Sequence, residues 1–211
     1  MGNLIDSVHW LHHASFRLEV SGKIIYLDPW KVRNKTKADY IFITHEHYDH
    51  MSVPDILELC KSGTVIICPV NRTEDITGGK IVKLRPGEKY SDDCISAQAV
   101  PAYNIGKSYH EKPSLKNGYV IEAGGARIYQ AGDTDFIPEM KDLKDIGLAL
   151  LPVGGTFTMN AKEAAAAVEI IKPEIAVPMH WGPVVGSRKD AEEFRKLAKC
   201  RVEILKEEEP G

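Results

Sequence analysis

The stretch Thr44-His45-Glu46-His47-Tyr48-Asp49-His50 constrains this chain more than any other. It puts three imidazoles and the carboxylate of Asp49 within six residues. It follows the apolar run Tyr40-Ile41-Phe42-Ile43, and a short apolar run that opens into polar residues reads as a buried strand ending in a loop. On such a segment His45 and His47 share a face. Asp49 and His50 lie past the bend and approach the same point from another side. Imidazole nitrogen and carboxylate oxygen suit zinc and several other divalent metals, and H-x-H-x-D-H is far more specific than a lone histidine. One metal site is expected here, and the pattern has room for two.

The remaining chemistry is read from other strand ends. Ala131-Gly132-Asp133-Thr134-Asp135 closes the strand Ala126 to Gln130. Asp133 is the carboxylate expected between two cations, because one carboxylate can bridge a metal pair roughly 3.5 to 4 Å apart. Glu174 to Met179 ends in His180-Trp181, which repeats the same organisation and marks His180 as a metal ligand. The strand Ile24 to Leu27 ends in Asp28-Pro29-Trp30. There Pro29 biases Asp28 towards extended backbone, and the carboxylate either orients a metal-bound histidine or caps a turn. His12 and His13, in the first turn, either donate to substrate or are ordinary turn residues. The segment from Pro101 to Asn117 is long for a hairpin and carries Tyr103, Tyr109 and His110. His110 either reaches the metals or substrate, or is an exposed histidine without a role.

Alternation at Phe16, Leu18 and Val20 predicts a strand with one face on a core. Further strands are expected at 6–10, 23–27, 64–68, 81–84, 95–100, 118–122, 147–153 and 202–205. Helices follow the caps Ser52 (with Asp55), Asn160 (with Glu163) and Ser187. Their core faces are Val53, Ile56, Leu57 and Cys60; Ala161, Ala165, Val168 and Ile171; and Ala191, Phe194, Leu197 and Ala198. The acidic end after Leu205 reads as solvated. Many strands with few helices suggest two sheets covered by helices, within one domain spanning 1–211.

Composition narrows the function classes. Lys and Arg number 27 against 30 Asp and Glu, a net charge of -3, so bulk electrostatics do not recruit nucleic acid. No Gly-rich nucleotide loop or phosphate-binding lysine motif is present. Cys60, Cys68, Cys94 and Cys200 form no CxxC pair and are expected as buried free thiols. No basic region with an apolar core opens the chain at Met1-Gly2-Asn3-Leu4-Ile5-Asp6, and no apolar run approaches membrane-spanning length. A cytoplasmic protein with a small-molecule substrate is expected. A symmetric homo-oligomer is compatible with this reading, although no patch in the sequence identifies its interface.

Together these motifs resemble the metallo-beta-lactamase superfamily over essentially the whole chain. More narrowly, Leu11-His12-His13-Ala14-Ser15-Phe16, Asp28-Pro29-Trp30 and Gly154-Gly155-Thr156-Phe157-Thr158-Met159 resemble its branch of metal-dependent hydrolases related to ascorbate-6-phosphate lactonase and N-acyl-phosphatidylethanolamine phospholipase D. The resemblance implies an α+β fold, a four-layer alpha-beta/beta-alpha sandwich, with a dinuclear centre, usually zinc; manganese is the other metal considered. It implies His45 and His47 on one metal, Asp49, His50 and His180 on the other, and Asp133 bridging. Relatives supply a further histidine to the first metal after the strand Ile95 to Val100, where this chain has Asn104. His110, six residues on, is the expected substitute.

The expected reaction is hydrolysis of a small phosphodiester by a metal-activated water. Asp49 accepts its proton, and His12, His13, His110 and Thr156 are the candidate donors near substrate. Hydrolysis of a lactone or other ester is the close rival. A non-catalytic metal-bearing binding protein is the reading from another class.

Overall fold

The computed structural model describes residues 4–71 and 73–209. Met1, Gly2 and Asn3 of the amino-terminal reading, and Pro210 and Gly211 of the acidic end, lie outside them. The first sheet joins β1 (Val8–His12), β2 (Ser15–Val20), β3 (Lys23–Leu27), β4 (Tyr40–Phe42), β5 (Val65–Pro69) and β6 (Lys80–Leu84) in chain order. β1 to β3 pair antiparallel, and β3 to β6 pair parallel. The second sheet contains β7 (Lys89–Ser91), β8 (Ile95–Pro101), β9 (Asn117–Ala123), β10 (Ala126–Gln130), β11 (Leu148–Pro152), β12 (Ile175–Met179) and β13 (Arg201–Val202). They lie side by side in that order, antiparallel from β7 to β10 and parallel from β10 to β13. Among the described residues three α-helices complete it: α1 (Val53–Leu59), α2 (Ala161–Ile171) and α3 (Arg188–Leu197).

Alternation along β4 shows how the layers are made. Phe42 joins the main core between the sheets with Phe16, Leu18, Ile121 and Tyr119, whereas Ile41 and Ile43 join a second core with Ile56 and Leu59 of α1. A pleated strand sends successive side chains to opposite faces, so a run apolar throughout is buried on both. Each fully buried isoleucine stabilises by about 1.5–3 kcal/mol. α2 and α3 pack on each other and cover the second sheet through Val168, Ile171, Ala191 and Phe194. This is the expected alpha-beta/beta-alpha sandwich.

Local chemistry accounts for the departures from the sequence-based expectations. Asn160 and Glu163 make the reciprocal capping box. Ser52 caps α1 alone, since Asp55 instead accepts from the Lys31 amide at 2.9 Å. Leu57 and Leu197, both expected inward, are exposed, and Leu59 takes the place of Leu57 three positions after Ile56. Of the four free cysteines only Cys68 is buried. β7, for which no strand is expected from the sequence, is a short polar edge strand. The acidic end is docked, not solvated. Glu208 pairs with the buried Arg17 through two hydrogen bonds of 2.6 and 3.2 Å, its amide donates to Trp10 O at 2.9 Å, and Glu207 bridges to β1 beside it. That segment covers an exposed sheet edge.

The two sheets are also pinned together by polar groups. At one end Asp92 accepts from the hydroxyls of Tyr40 and Tyr90, at 2.8 and 2.7 Å, and from the amides of Cys94 and Ile95. Burial raises its pKa, but these donors outweigh burial and hold it at about 2, below the usual 3.8. A carboxyl with a depressed folded-state pKa contributes stability above its unfolded value and loses it as pH falls through the folded one. Wild type is therefore expected to lose stability between about pH 4 and about pH 2 more steeply than Asp92→Asn. Urea midpoints across that range measure it, and parallel profiles for the two proteins would discard the role given to Asp92.

Candidate metal centre

The other end of the sandwich gathers the carboxyl ends of β3, β4, β10 and β12. This is where parallel strands leave a crevice for ligands. Tyr119 braces it from below: its ring meets Phe42 edge-on at 5.2 Å, and its hydroxyl donates to Ile43 O at 2.8 Å. The amide of Asn117 donates to Thr44 O at 3.0 Å. Ile43 and Thr44, the two residues before His45, are thereby fixed to the opposite sheet.

Two clusters form there. His45, His47, His110 and Asp133 bring one ligand atom each within 4.8 Å of one another, and so do His13, Asp49, His50 and His180. In the first, His45 Nε2 lies 3.0 Å from His47 Nδ1, and His110 Nε2 lies 3.2 Å from the same atom. In the second, His13 Nε2 lies 3.3 Å from Asp49 Oδ2. Asp133 reaches both. Its Oδ2 is 3.1 Å from His180 Nε2, 3.3 Å from His110 Nε2 and 3.8 Å from His45 Nε2, and its Oδ1 is 3.2 Å from His50 Nε2. Asp133 Oδ1, His50 Nε2 and both ring nitrogens of His13 are buried without a partner in hydrogen-bonding geometry. Buried polar atoms that converge unsatisfied need a ligand to be affordable. Three imidazole nitrogens with a carboxylate form a donor set that divalent transition metals accept, so the residues suit a dinuclear metal site.

Backbone strain marks the same place. His13 (φ 49) and His180 (φ 57) both occupy the left-handed region, which costs a side-chain-bearing residue of order 1–3 kcal/mol. Gly132 (φ 64), just before Asp133, has no such cost, and a Cβ there would lie 2.9 Å from Asn117 O and 3.1 Å from Thr44 Cβ. Asp28 also turns left-handed, at φ 45, contrary to the extended backbone that Pro29 suggests. Its carboxylate decides the conformation: it accepts from the Thr44 amide and hydroxyl, each at 2.7 Å, lies 2.8 Å from His50 Nδ1, and accepts from Gln130 Nε2 at 3.3 Å. Asp28 therefore orients His50, and of its two sequence readings the orienting one describes it.

Electrostatics prepare the imidazoles. Burial lowers His13 and His110 to about 4 and brings His45 well below the usual histidine range. Burial, then the charge of Lys116, lowers His47. These rings are neutral at neutral pH, with lone pairs free for a metal. His50 differs: burial pulls it down, but Asp133 and Asp28 on either side carry it well above the usual value. It keeps a proton unless a metal takes that lone pair, so metal uptake there releases a proton. Asp49 is raised by burial, yet the His13 ring 3.3 Å away and the charge of His50 hold it at about 2.

The placements differ from expectation in three respects. His13, expected near substrate, stands in the second cluster. His12 is outside both, its Nδ1 3.3 Å from Glu207 and its ring 5.1 Å from Trp30. Thr156 is exposed in the loop after β11. The structure adds Lys116, 5% exposed, with Nζ 3.3 Å from both His47 Nε2 and Glu46 Oε1. In sequence it looks like any loop lysine. Over the clusters lies a cavity of about 250 Å³ walled by Tyr48, Tyr109, Phe157 and Val184. Tyr109 meets Phe157 edge-on at 4.7 Å, and Tyr48, 64% exposed, is braced on Trp30 at 5.6 Å.

Comparison with known proteins identifies the fold and the family. Residues 7–180 match the family described as the Beta-lactamase superfamily domain. A UPF0173 metal-dependent hydrolase of Thermococcus onnurineus is 39% identical over 219 residues, covering 94% of each chain. A crystal structure from Parabacteroides distasonis superimposes with a TM-score of 0.85 at 35% identity, over 95% of this chain and 93% of that one. Igni18, a metallo hydrolase of Ignicoccus hospitalis, superimposes at 0.78 with 25% identity, over 97% and 95%. The chain therefore belongs to the metallo-beta-lactamase superfamily and, within it, to the UPF0173 metal-dependent hydrolases. Among the described residues no helix is long and apolar enough to cross a membrane.

Proposed function

We propose that this metal-dependent hydrolase cleaves a small phosphodiester, with His45, His47 and His110 holding one zinc, His13, Asp49, His50 and His180 the other, and Asp133 shared between them. The observation that carries this is the reach of Asp133 into both clusters, beneath a cavity open to solvent. Residues so placed would hold a metal pair, which would supply a water nucleophile at neutral pH and positive charge for the attacking and leaving oxygens. Asp49, ionised and held by His13, accepts the proton of the attacking water. The Lys116 ammonium beside His47 adds charge for a phosphoryl oxygen at the rim. Tyr48, Tyr109 and Phe157 hold the apolar part of the substrate and exclude water around it.

The rival reading is hydrolysis of a lactone or other ester, which those apolar walls also favour. One sample separates the two. Protein purified without chelator is assayed for zinc and manganese per chain, then for turnover of bis(p-nitrophenyl) phosphate and of a small aromatic lactone. The expected result is two metals per chain and phosphodiester turnover that a chelator abolishes and zinc restores. Lactone turnover alone would transfer the assignment to the ester reading. Neither turnover, with metal restored, would overturn both and leave a metal-bearing binding protein.

A further inference from the structure

Asn104 stands where the family pattern supplies a histidine to the first metal, and its surroundings leave it one orientation. One end of its amide faces Asp135 Oδ1 at 3.1 Å and Phe157 O at 2.9 Å, a carboxylate and a carbonyl. Both are acceptors, so the amino group must be at that end. The carbonyl end then faces the backbone N–H of His110 and its ring Nδ1, each at 3.1 Å. An amide oxygen cannot donate, so Nδ1 must carry the ring proton. The lone pair is left on Nε2, which faces Asp133 and His47.

The same contacts close the loop. The amide of Asn104 donates to His110 O at 2.7 Å, so the excursion from Ile105 to Tyr109 is shut at its neck and returns His110 to the place of the missing ligand. Asp135 is buried and braces that neck: besides Asn104 it accepts from the Ile105 amide at 2.8 Å and from Lys107 Nζ at 2.6 Å, and Lys107 also donates to Thr158 O at 2.9 Å. Asp135 lies two residues beyond Asp133, so both ends of the loop are referred to the strand end that bears the shared carboxylate.

We propose that Asn104, braced by Asp135, is the positioning residue that fixes His110 as an Nε2 ligand of the first metal. The proposal rests on the reading of His110 as a ligand. Loss of a partner that orients a metal-bound histidine typically costs 10- to 100-fold in metal affinity. Asn104→Leu, which keeps the branched outline but removes the acceptor, is therefore expected to weaken one of two zinc equivalents by about 10- to 100-fold and to leave the other unchanged.

The test is competition of zinc against a chromophoric chelator, on full-length wild type, Asn104→Leu, His110→Ala and the double exchange Asn104→Asp with Asp135→Asn. The double exchange reverses the Asn104–Asp135 hydrogen bond and keeps an acceptor on His110, so it is expected to recover part of the lost affinity. Nitrogen-15 NMR of histidine side chains in metal-free wild type reads the tautomer directly, and Nδ1–H is expected for His110. An Nε2–H tautomer in wild type would overturn the proposal. So would two unchanged zinc affinities in folded Asn104→Leu where His110→Ala loses one. If His110→Ala also leaves both affinities intact, the ligand reading itself falls, and this proposal with it. Should Asn104→Leu fail to fold, the wild-type tautomer and the double exchange decide the matter.

Discussion

Asp133→Asn is expected to leave at most one metal per chain and to lower turnover by at least about 100-fold. The substitution keeps the shape of the side chain and removes its charge. In the wild type that charge faces His50 and His180 on one side and His45 and His110 on the other, all within 3.8 Å. A neutral amide presents one acceptor oxygen in place of two and turns an N–H donor to the place of the other, so it cannot serve two cations. Elemental analysis and the turnover assay, run beside a thermal melt to confirm folding, would show the effect. Two metals per chain with turnover near wild type would remove Asp133 from the centre. His12→Ala is the matched control, expected to keep both metals, because its ring sits with Glu207 and Trp30 away from the clusters.

The second large effect is on stability. Asp28→Ala is expected to cost about 3–5 kcal/mol, since removing one partner of a buried charged pair strands the other. Here it strands the Thr44 amide and hydroxyl, His50 Nδ1 and Gln130 Nε2 together, all in residues that are buried. Alanine also tolerates the left-handed backbone at φ 45 less well than aspartate does. Asp28→Asn keeps one oxygen and the same backbone tolerance, and should fall between. For a chain of this size each kcal/mol moves the melting temperature by roughly 2–4 °C. Thermal and urea unfolding in the presence of chelator isolates this effect from metal binding. An alanine variant within about 1 kcal/mol of wild type would contradict the network described for Asp28.

Both substitutions act at residues that the sequence marks by local chemistry, and that explains how much was legible in it. The run Tyr40 to Ile43, the alternation at Phe16, Leu18 and Val20, and the caps at Asn160 and Ser187 are decided by neighbours a few residues away, so periodicity and capping rules find them. His45, His47, Asp49 and His50 are close in sequence, and Asp133 and His180 repeat their setting at other strand ends. Burial of Leu57 or Leu197 depends instead on which turn of the helix meets the sheet. The docked end at Glu208 depends on Arg17, 191 residues away. Neither distance appears in a local pattern.

By itself the sequence determined the strands and helices that recur in the fold, the identity of most groups in the two clusters, and the family. The tertiary structure alone decided that His13 joins Asp49, that His12 does not, that Lys116 comes to rest beside His47, and that the neck at Asn104 returns His110 to the first cluster. The physical reason is one of range. Secondary structure and motif chemistry are set by covalent neighbours, whereas a shared site is set by how two sheets pack. That packing brings residues from distant strand ends to within a few ångströms, and a left-handed bend or a single hydrogen bond then determines which atom of each side chain faces the centre.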